Sequence, residues 1–166
     1  MAVRPVPLSK IKIAKAAGRG MINVEMIALT CREVGIPFYA ALALFEMESH
    51  GRNVYGHDEG GALSGFPFPV TRDNFRVFEW LVEQGQKSNG VGPSQITWKG
   101  YFPAMEQQGL DAWDVHDNML FGLTILWGHY RRFKTWRRAG RAYNGRDSYG
   151  IALEKKVAEW REILRG

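Results

Sequence analysis

ALALFEMESHGRN, residues 41–53, is the stretch whose reading decides the fold. It ends a run from Phe38 in which apolar side chains fall on nearly every side of a 3.6-residue repeat. Such a run predicts a helix over 38–49 with no polar face, buried in the middle of a domain. Two glutamates stand where the apolar character runs out, and Gly51 opens a loop. At about 100° per residue, Glu46 and Glu48 point about 200° apart. One therefore lines whatever cleft opens at this end, and the other meets solvent or a basic partner.

Upstream, Val24, Ile27, Ala28, Cys31 and Val34 recur at helical spacing until Gly35 and Pro37 end the pattern. Residues 1–20, MAVRPVPLSKIKIAKAAGRG, mix prolines, lysines and glycines without clear periodicity and read as an N-terminal arm. Downstream, residues 51–70 are glycine-rich and nearly free of apolar periodicity. They predict a long ordered loop or at most a short irregular hairpin, and long loops in small domains are usually functional. Thr71 caps a helix through Phe75, Phe78, Leu81 and Val82. Gly90, Gly92 and Pro93 make a turn before Gln95. Met119, Leu123, Leu126, Trp127 and Tyr130 mark a long amphipathic helix, Thr135 to Tyr143 a shorter basic one, and Leu153, Val157, Trp160 and Leu164 the inner face of a closing helix. The fold class is mainly α: one domain over 21–166, helices around the buried one, with glycine-rich loops between them.

A chain of 166 residues can bury a real core. Its one cysteine, Cys31, excludes an internal disulfide and reads as a buried inert thiol. The basic N-terminus lacks the continuous apolar stretch of a secretory signal, and no run is long enough to span a membrane. The protein is therefore expected to accumulate inside the cell that makes it. A formal charge of +5 favours anionic partners without naming one. Much of it sits in Arg131, Arg132, Lys134, Arg137, Arg138, Arg141 and Arg146, which suits either a solvated helix face or a loose docking patch. No nucleic-acid-binding motif accompanies the charge, so only weak, nonspecific affinity for nucleic acid is expected.

A glutamate buried at the end of an apolar helix has its pKa raised by desolvation. An acid still protonated near neutral pH is what glycosidic cleavage needs, because the leaving oxygen must receive a proton. Glu48-Ser49-His50-Gly51 resembles the glutamate–serine motif that holds the catalytic acid in goose-type lysozymes and lytic transglycosylases. Gly92-Pro93-Ser94-Gln95-Ile96 is similar to that superfamily's Gly-x-x-Gln-Ile/Leu/Val segment, and Ala142-Tyr143-Asn144-Gly145 to its Ala-Tyr-Asn-Gly/Ala-Gly segment. The three follow in the right order at domain-sized spacing. Residues 51–71 and 88–102 further resemble the transglycosylase-type domains of endolysins from phages of actinobacteria. The chain departs from the pattern at Pro93-Ser94, where two apolar residues usually precede the glutamine, and at Arg146, where a second glycine is usual.

The resemblance implies a lysozyme-like domain that cleaves the β-1,4 bond between N-acetylmuramic acid and N-acetylglucosamine in bacterial peptidoglycan, with no cofactor, as a lytic transglycosylase that leaves 1,6-anhydro ends. The alternatives are a hydrolytic muramidase that uses Asp58 to position water and a non-catalytic glycan-binding module. It implies Glu48 as the acid, Tyr143 hydrogen-bonded to it, Asn144 binding a sugar acetamide, and Gln95 and Ile96 forming a loop that serves the substrate. Ser49 braces the loop after the helix and is counted, with Asp58, Trp98 and Tyr101, among the residues expected to contact substrate. As a phage endolysin, the protein would wait in the host cytoplasm until a holin-type release, and a monomer is favoured. Asp58, in GHDEGG, is the second carboxylate. It would matter in an inverting hydrolase, which needs a base roughly 6.5–9.5 Å from the acid. The neighbouring His57 invites a metal reading, but no zinc-protease helix or calcium-loop register is present, and metal is not expected. Tyr55, Phe66, Phe68, Trp98, Tyr101 and Phe102 lie in or beside the two loops, and two or three of them are expected to touch sugar.

Overall fold

The computed structural model describes residues 9–165, which form eight helices and no strand. These are α1 (Lys10–Gly18), α2 (Val24–Val34), α3 (Phe38–Glu48), α4 (Arg72–Glu83), α5 (Tyr101–Gln107), α6 (Val115–Phe133), α7 (Trp136–Asn144) and α8 (Asp147–Arg165).

α3 is the apolar helix of the opening stretch. Phe38 and every residue from Ala40 to Phe45 are buried, and the helix packs against α2 and α8. Polar groups enter only in its last turn. Ser49 closes it by donating its backbone N–H to the Phe45 carbonyl, and Gly51 follows with φ +81°. A Cβ at Gly51 would lie 2.2 Å from the Ile22 carbonyl oxygen, so the chain can leave the helix beside the α1–α2 connection only as glycine.

The periodic helices form where apolar spacing places them. α2 buries Val24, Ile27, Ala28 and Cys31, and ends at Gly35 in the left-handed conformation. Burial pushes the Cys31 thiol up to about 12, which leaves it protonated and inert. α4 starts with a capping box: the Thr71 hydroxyl accepts from the Asn74 N–H, and the Asn74 amide oxygen accepts from the Thr71 N–H. α8 turns Leu153, Val157, Trp160 and Leu164 inward.

The buried side chains fall into two clusters. One gathers α2, α3 and α8 with Met119, Leu123 and Leu126 of α6. The other gathers Phe75 and Phe78 of α4, Phe102 and Met105 of α5, the loop residues Tyr55, Val91 and Ile96, and Phe121 of α6. α6 serves both, because its side chains leave the helix in two directions.

One expectation is corrected, one pair of alternatives is resolved, and one helix was not foreseen. Within the expected arm, residues 1–8 lie outside the described residues, but Lys10–Gly18 is helical and packs on α2 and α8. Ile13 and Ala16, three apart, face the core, and the Ser9 hydroxyl caps the helix by accepting from the Lys12 N–H. The 51–70 stretch forms no hairpin. Its pairings are isolated bridges, Tyr55 with Val91 and Gly61 with Lys87, so it is the ordered loop of the two alternatives. α5 was not expected at all. It is one short helix with Pro103 in its first turn, where a missing N–H does no harm.

Asn118, fully buried on α6, holds the second cluster to the turn that follows Gly92. Its Oδ1 accepts from the Ser94 N–H at 2.9 Å, and its Nδ2 donates to the carbonyls of Val91 and Ala112 at 3.0 Å each. The Ser94 hydroxyl donates to the Asn118 carbonyl at 2.9 Å. Gly122, one turn on, makes room for this: a Cβ there would sit 2.2 Å from the Ser94 Oγ.

Candidate active site

Glu48 ends α3 at the wall of a groove of about 580 Å³. Asp58, Gln95, Trp98, Tyr101, Tyr143 and Asn144 share its lining, and Lys87 and Lys99 make its rim basic. The groove runs between the side of the molecule built on α3 and α7 and the side built on the two loops. Burial raises the Glu48 carboxyl to about 7. A hydrogen bond from Tyr149 acts in the opposite direction, and the charge of Asp58 adds to the rise. Desolvation wins, so a large share of Glu48 still holds its proton near neutral pH.

Tyr149, in the first turns of α8, donates its hydroxyl to Glu48 Oε1. Its own pKa is raised by burial and by the nearby carboxylate, so it acts only as a donor. With Oε1 engaged as acceptor, the acidic proton of Glu48 belongs on Oε2. This corrects the role expected for Tyr143, whose hydroxyl donates instead to the Ser94 carbonyl at 2.8 Å. Tyr143 lines the groove and lies beside Tyr149, their ring centroids 6.4 Å apart. Tyr149 escaped the motif reading because the third motif ends at Gly145. The signal was in α8 itself: the inner stripe Leu153, Val157, Trp160 extended back by four residues lands on Tyr149.

Because the Tyr149 bond favours the ionised form, Tyr149→Phe is expected to move the Glu48 titration to higher pH. A ¹³C NMR titration of the glutamate carboxyls follows it directly. A midpoint equal to that of the wild type would mean that Tyr149 has no hold on the acid.

Glu46 behaves as the helical geometry demands. It turns away from the groove to accept from Trp160 Nε1 at 2.6 Å, with Lys156 Nζ 3.6 Å from its other oxygen.

The loop residues divide by what their polar atoms hold. Ser49 is buried and does not line the groove. Its hydroxyl donates to the Pro93 carbonyl at 2.8 Å and accepts from the Gly51 N–H at 3.1 Å, so it braces α3 to the turn and is not a substrate contact. Gln95 lines the groove from a left-handed backbone conformation, φ 50°. Its Nε2 donates to the carbonyls of Val54 and Gly92 at 3.0 and 2.9 Å, which makes the amide a clamp between the two loops. A Cβ at either Gly56 or Gly90 would collide with the Gln95 Oε1, at 2.3 and 2.2 Å. Both glycines exist to let this side chain through. Ile96 is buried and exchanges backbone hydrogen bonds with Val91, forming part of the groove floor. Asp58 Oδ2 accepts from the Gly90 N–H at 2.8 Å, which fixes the carboxylate in the groove wall.

Of the six loop aromatics, Tyr55 and Phe102 are core. Trp98, 64% exposed, and Tyr101 line the groove edge to face, with ring centroids 4.8 Å apart. Phe66 and Phe68 pack on one another outside it. Asn144 ends α7 exposed at the groove.

Asp114, His116 and Asp117 bring ligand-type atoms within 4.8 Å of one another. Their atoms already serve the protein. Asp114 Oδ1 accepts from the Asp117 N–H, Asp117 Oδ2 from the Asp111 N–H, and His116 lies between Asp117 and Glu33. The set is the N-terminal cap of α6.

Comparison with protein families, with curated proteins and with solved structures gives no match to this chain.

Proposed function

We propose that this chain is a peptidoglycan glycosidase of the lysozyme and lytic transglycosylase kind, cutting the bond between N-acetylmuramic acid and N-acetylglucosamine, with Glu48 as general acid. One observation carries the reading: a carboxyl whose pKa burial raises to about 7, in the wall of an open groove edged by the exposed ring of Trp98 and the half-buried ring of Tyr101. Residues of the three motifs that resemble that superfamily, Glu48, Gln95, Tyr143 and Asn144, line that one groove.

In this mechanism Glu48 Oε2–H protonates the glycosidic oxygen as the bond to the anomeric carbon breaks and positive charge grows on that carbon. The N-acetylglucosamine leaves with the proton as its new hydroxyl. The Glu48 carboxylate then takes the proton from the C6 hydroxyl of the same muramic acid while that oxygen attacks the anomeric carbon. A 1,6-anhydro ring closes and Glu48 is again protonated. No water and no second carboxylate take part. General-acid assistance of this kind is worth ~10²–10⁴ in rate. Trp98 and Tyr101 offer apolar faces to sugar rings and Asn144 an amide to an acetamide. As part of a phage endolysin, the domain acts on the host wall once released from the cytoplasm.

A hydrolytic outcome is the second reading, favoured by Asp58, which faces the same groove and is held in place by the Gly90 N–H. There Asp58 would orient a water, and the product would be an ordinary reducing end. Mass spectrometry of purified peptidoglycan after digestion separates the two: 1,6-anhydro ends are expected, and only hydrated ends would remove the transglycosylase label. No released fragment at all would sink the glycosidase reading. Asp58→Asn is expected to keep the anhydro products with less than about a tenfold fall in rate. A loss near the ~10²–10⁴ due to an essential acid or base would make Asp58 a participant.

A further inference from the structure

A second cleft, of about 540 Å³, opens at the other end of α3, about 15 Å along the helix from Glu48 at ~1.5 Å rise per residue. Its floor is apolar, made by Phe38, Tyr39 and Leu164, and its walls are α1 and the last turn of α8. Four cations stand round it: Lys12 and Lys15 from α1, Arg161 and Arg165 from α8. No carboxylate lines it among the described residues. Arg165 pairs with Glu162 at 2.7 Å, and Lys15 donates to the Ile163 carbonyl at 3.1 Å. Lys12 and Arg161 have no carboxylate partner among the described residues. Beside the cleft α1 carries Ile11, 66% exposed, between Lys10 and Lys12.

Like charges brought together around an apolar floor repel one another, and among the described residues only Arg165, through Glu162, has a carboxylate that offsets it. We infer that this end of the molecule docks on an anionic lipid surface, with a phosphodiester headgroup of the phosphatidylglycerol class in the cleft and Ile11 entering the headgroup region. Charge alone would suit any polyanion. The apolar floor and the protruding isoleucine suit an amphiphile, whose phosphate meets Lys12 and Arg161 while its glycerol and first methylenes meet Phe38 and Leu164. A cationic helix with an exposed aliphatic residue is also the form that lies in a membrane interface. The groove of Glu48, at the opposite end of α3, stays open to another polymer while this face is engaged.

Co-sedimentation of the whole chain with vesicles tests this. Binding is expected to vesicles of phosphatidylcholine mixed with an equal part of phosphatidylglycerol, to be absent with phosphatidylcholine alone, and to weaken as salt rises. The double variant Lys12→Glu with Arg161→Glu is expected to bind at least tenfold more weakly. The variant Arg132→Glu with Arg138→Glu changes the net charge equally on another face and is expected to bind within about threefold of the wild type, given ~1 kcal/mol for each cation held at the surface. Ile11→Ser is expected to weaken binding while leaving the helical signal in circular dichroism unchanged. If Lys12→Glu with Arg161→Glu loses that signal, Lys12→Gln with Arg161→Gln replaces it and must show the same weakening. Equal loss in both charge-reversed doublets, or binding to DNA but not to the phosphatidylglycerol vesicles, would overturn the assignment.

Discussion

Replacing Glu48 by glutamine is expected to cost ~10²–10⁴ in the rate of peptidoglycan cleavage and, at the same time, to make the protein more stable above neutral pH. The second effect follows from the titration. The Glu48 carboxyl moves from 4.5 to about 7 on folding, so between those values the folded chain holds a proton that the unfolded chain has released. Stability contributed by the protonated acid is fully present below pH 4.5 and is lost as pH rises through about 7. At ~1.4 kcal/mol per pH unit, the loss across that window is about 3 kcal/mol. Glutamine has no proton to release. Urea unfolding should therefore show the variant close to the wild type at acid pH, and ahead of it by up to about 3 kcal/mol at about pH 8. Lysis by the variant equal to that of the wild type would end the role of Glu48 as acid. A variant less stable at both pH values would show that the carboxyl is not a desolvated one.

Asn118→Ala is expected to be among the most damaging substitutions for the fold itself. The side chain satisfies the Ser94 N–H and the Val91 and Ala112 carbonyls, all inside the protein. With alanine the Val91 carbonyl keeps the Ile96 N–H, but the Ser94 N–H and the Ala112 carbonyl lose their partner. Each buried group left unpaired costs about 1–3 kcal/mol, so the sum for the two is roughly 2–6 kcal/mol, a large share of the ~5–15 kcal/mol that holds a typical domain together. For a chain of this size that corresponds to a fall in Tm of roughly 5–20 °C. The turn that carries Gln95 loses its anchor on α6 as well, so the activity of the remaining folded molecules should fall with it. A fall in unfolding free energy below about 1 kcal/mol would show that water or a neighbour replaces the asparagine.

Much of this was legible because helical periodicity is a local property. α2, α3, α6 and α8 bury the residues their spacing selects, and the opposed directions of Glu46 and Glu48 follow from residue geometry alone. α1 was missed because its inward face is only Ile13 and Ala16, set among lysines whose stems pack while their charges stay wet. α5 was hidden by Pro103, which reads as a breaker unless the helix start is known. Within the site, Glu48 and the groove-lining Gln95, Tyr143 and Asn144 were visible as motif residues, but their partners were not. That Gln95 threads between Gly56 and Gly90, that Asp58 accepts from Gly90, and that Tyr149 rather than Tyr143 bonds the acid depend on contacts between segments far apart in the chain. No local pattern records those. Ser49, read correctly as a brace and wrongly as a substrate contact, shows the same limit: a motif gives the residue and not the direction of its hydroxyl.

The shared use of α6 by both clusters bears on how the groove would meet a polymer under the proposed function. Domains that clamp their ligands swing about loops. Here a continuous helix is built into each side, Phe121 into one and Leu123 into the other, so the sides cannot part without bending it. The aperture is set once, at folding, and a glycan, if the proposed function holds, would be admitted as an extended cable laid along a fixed slot. Such a slot would let a strand slide through after each scission, without the pause that reopening a jaw would impose.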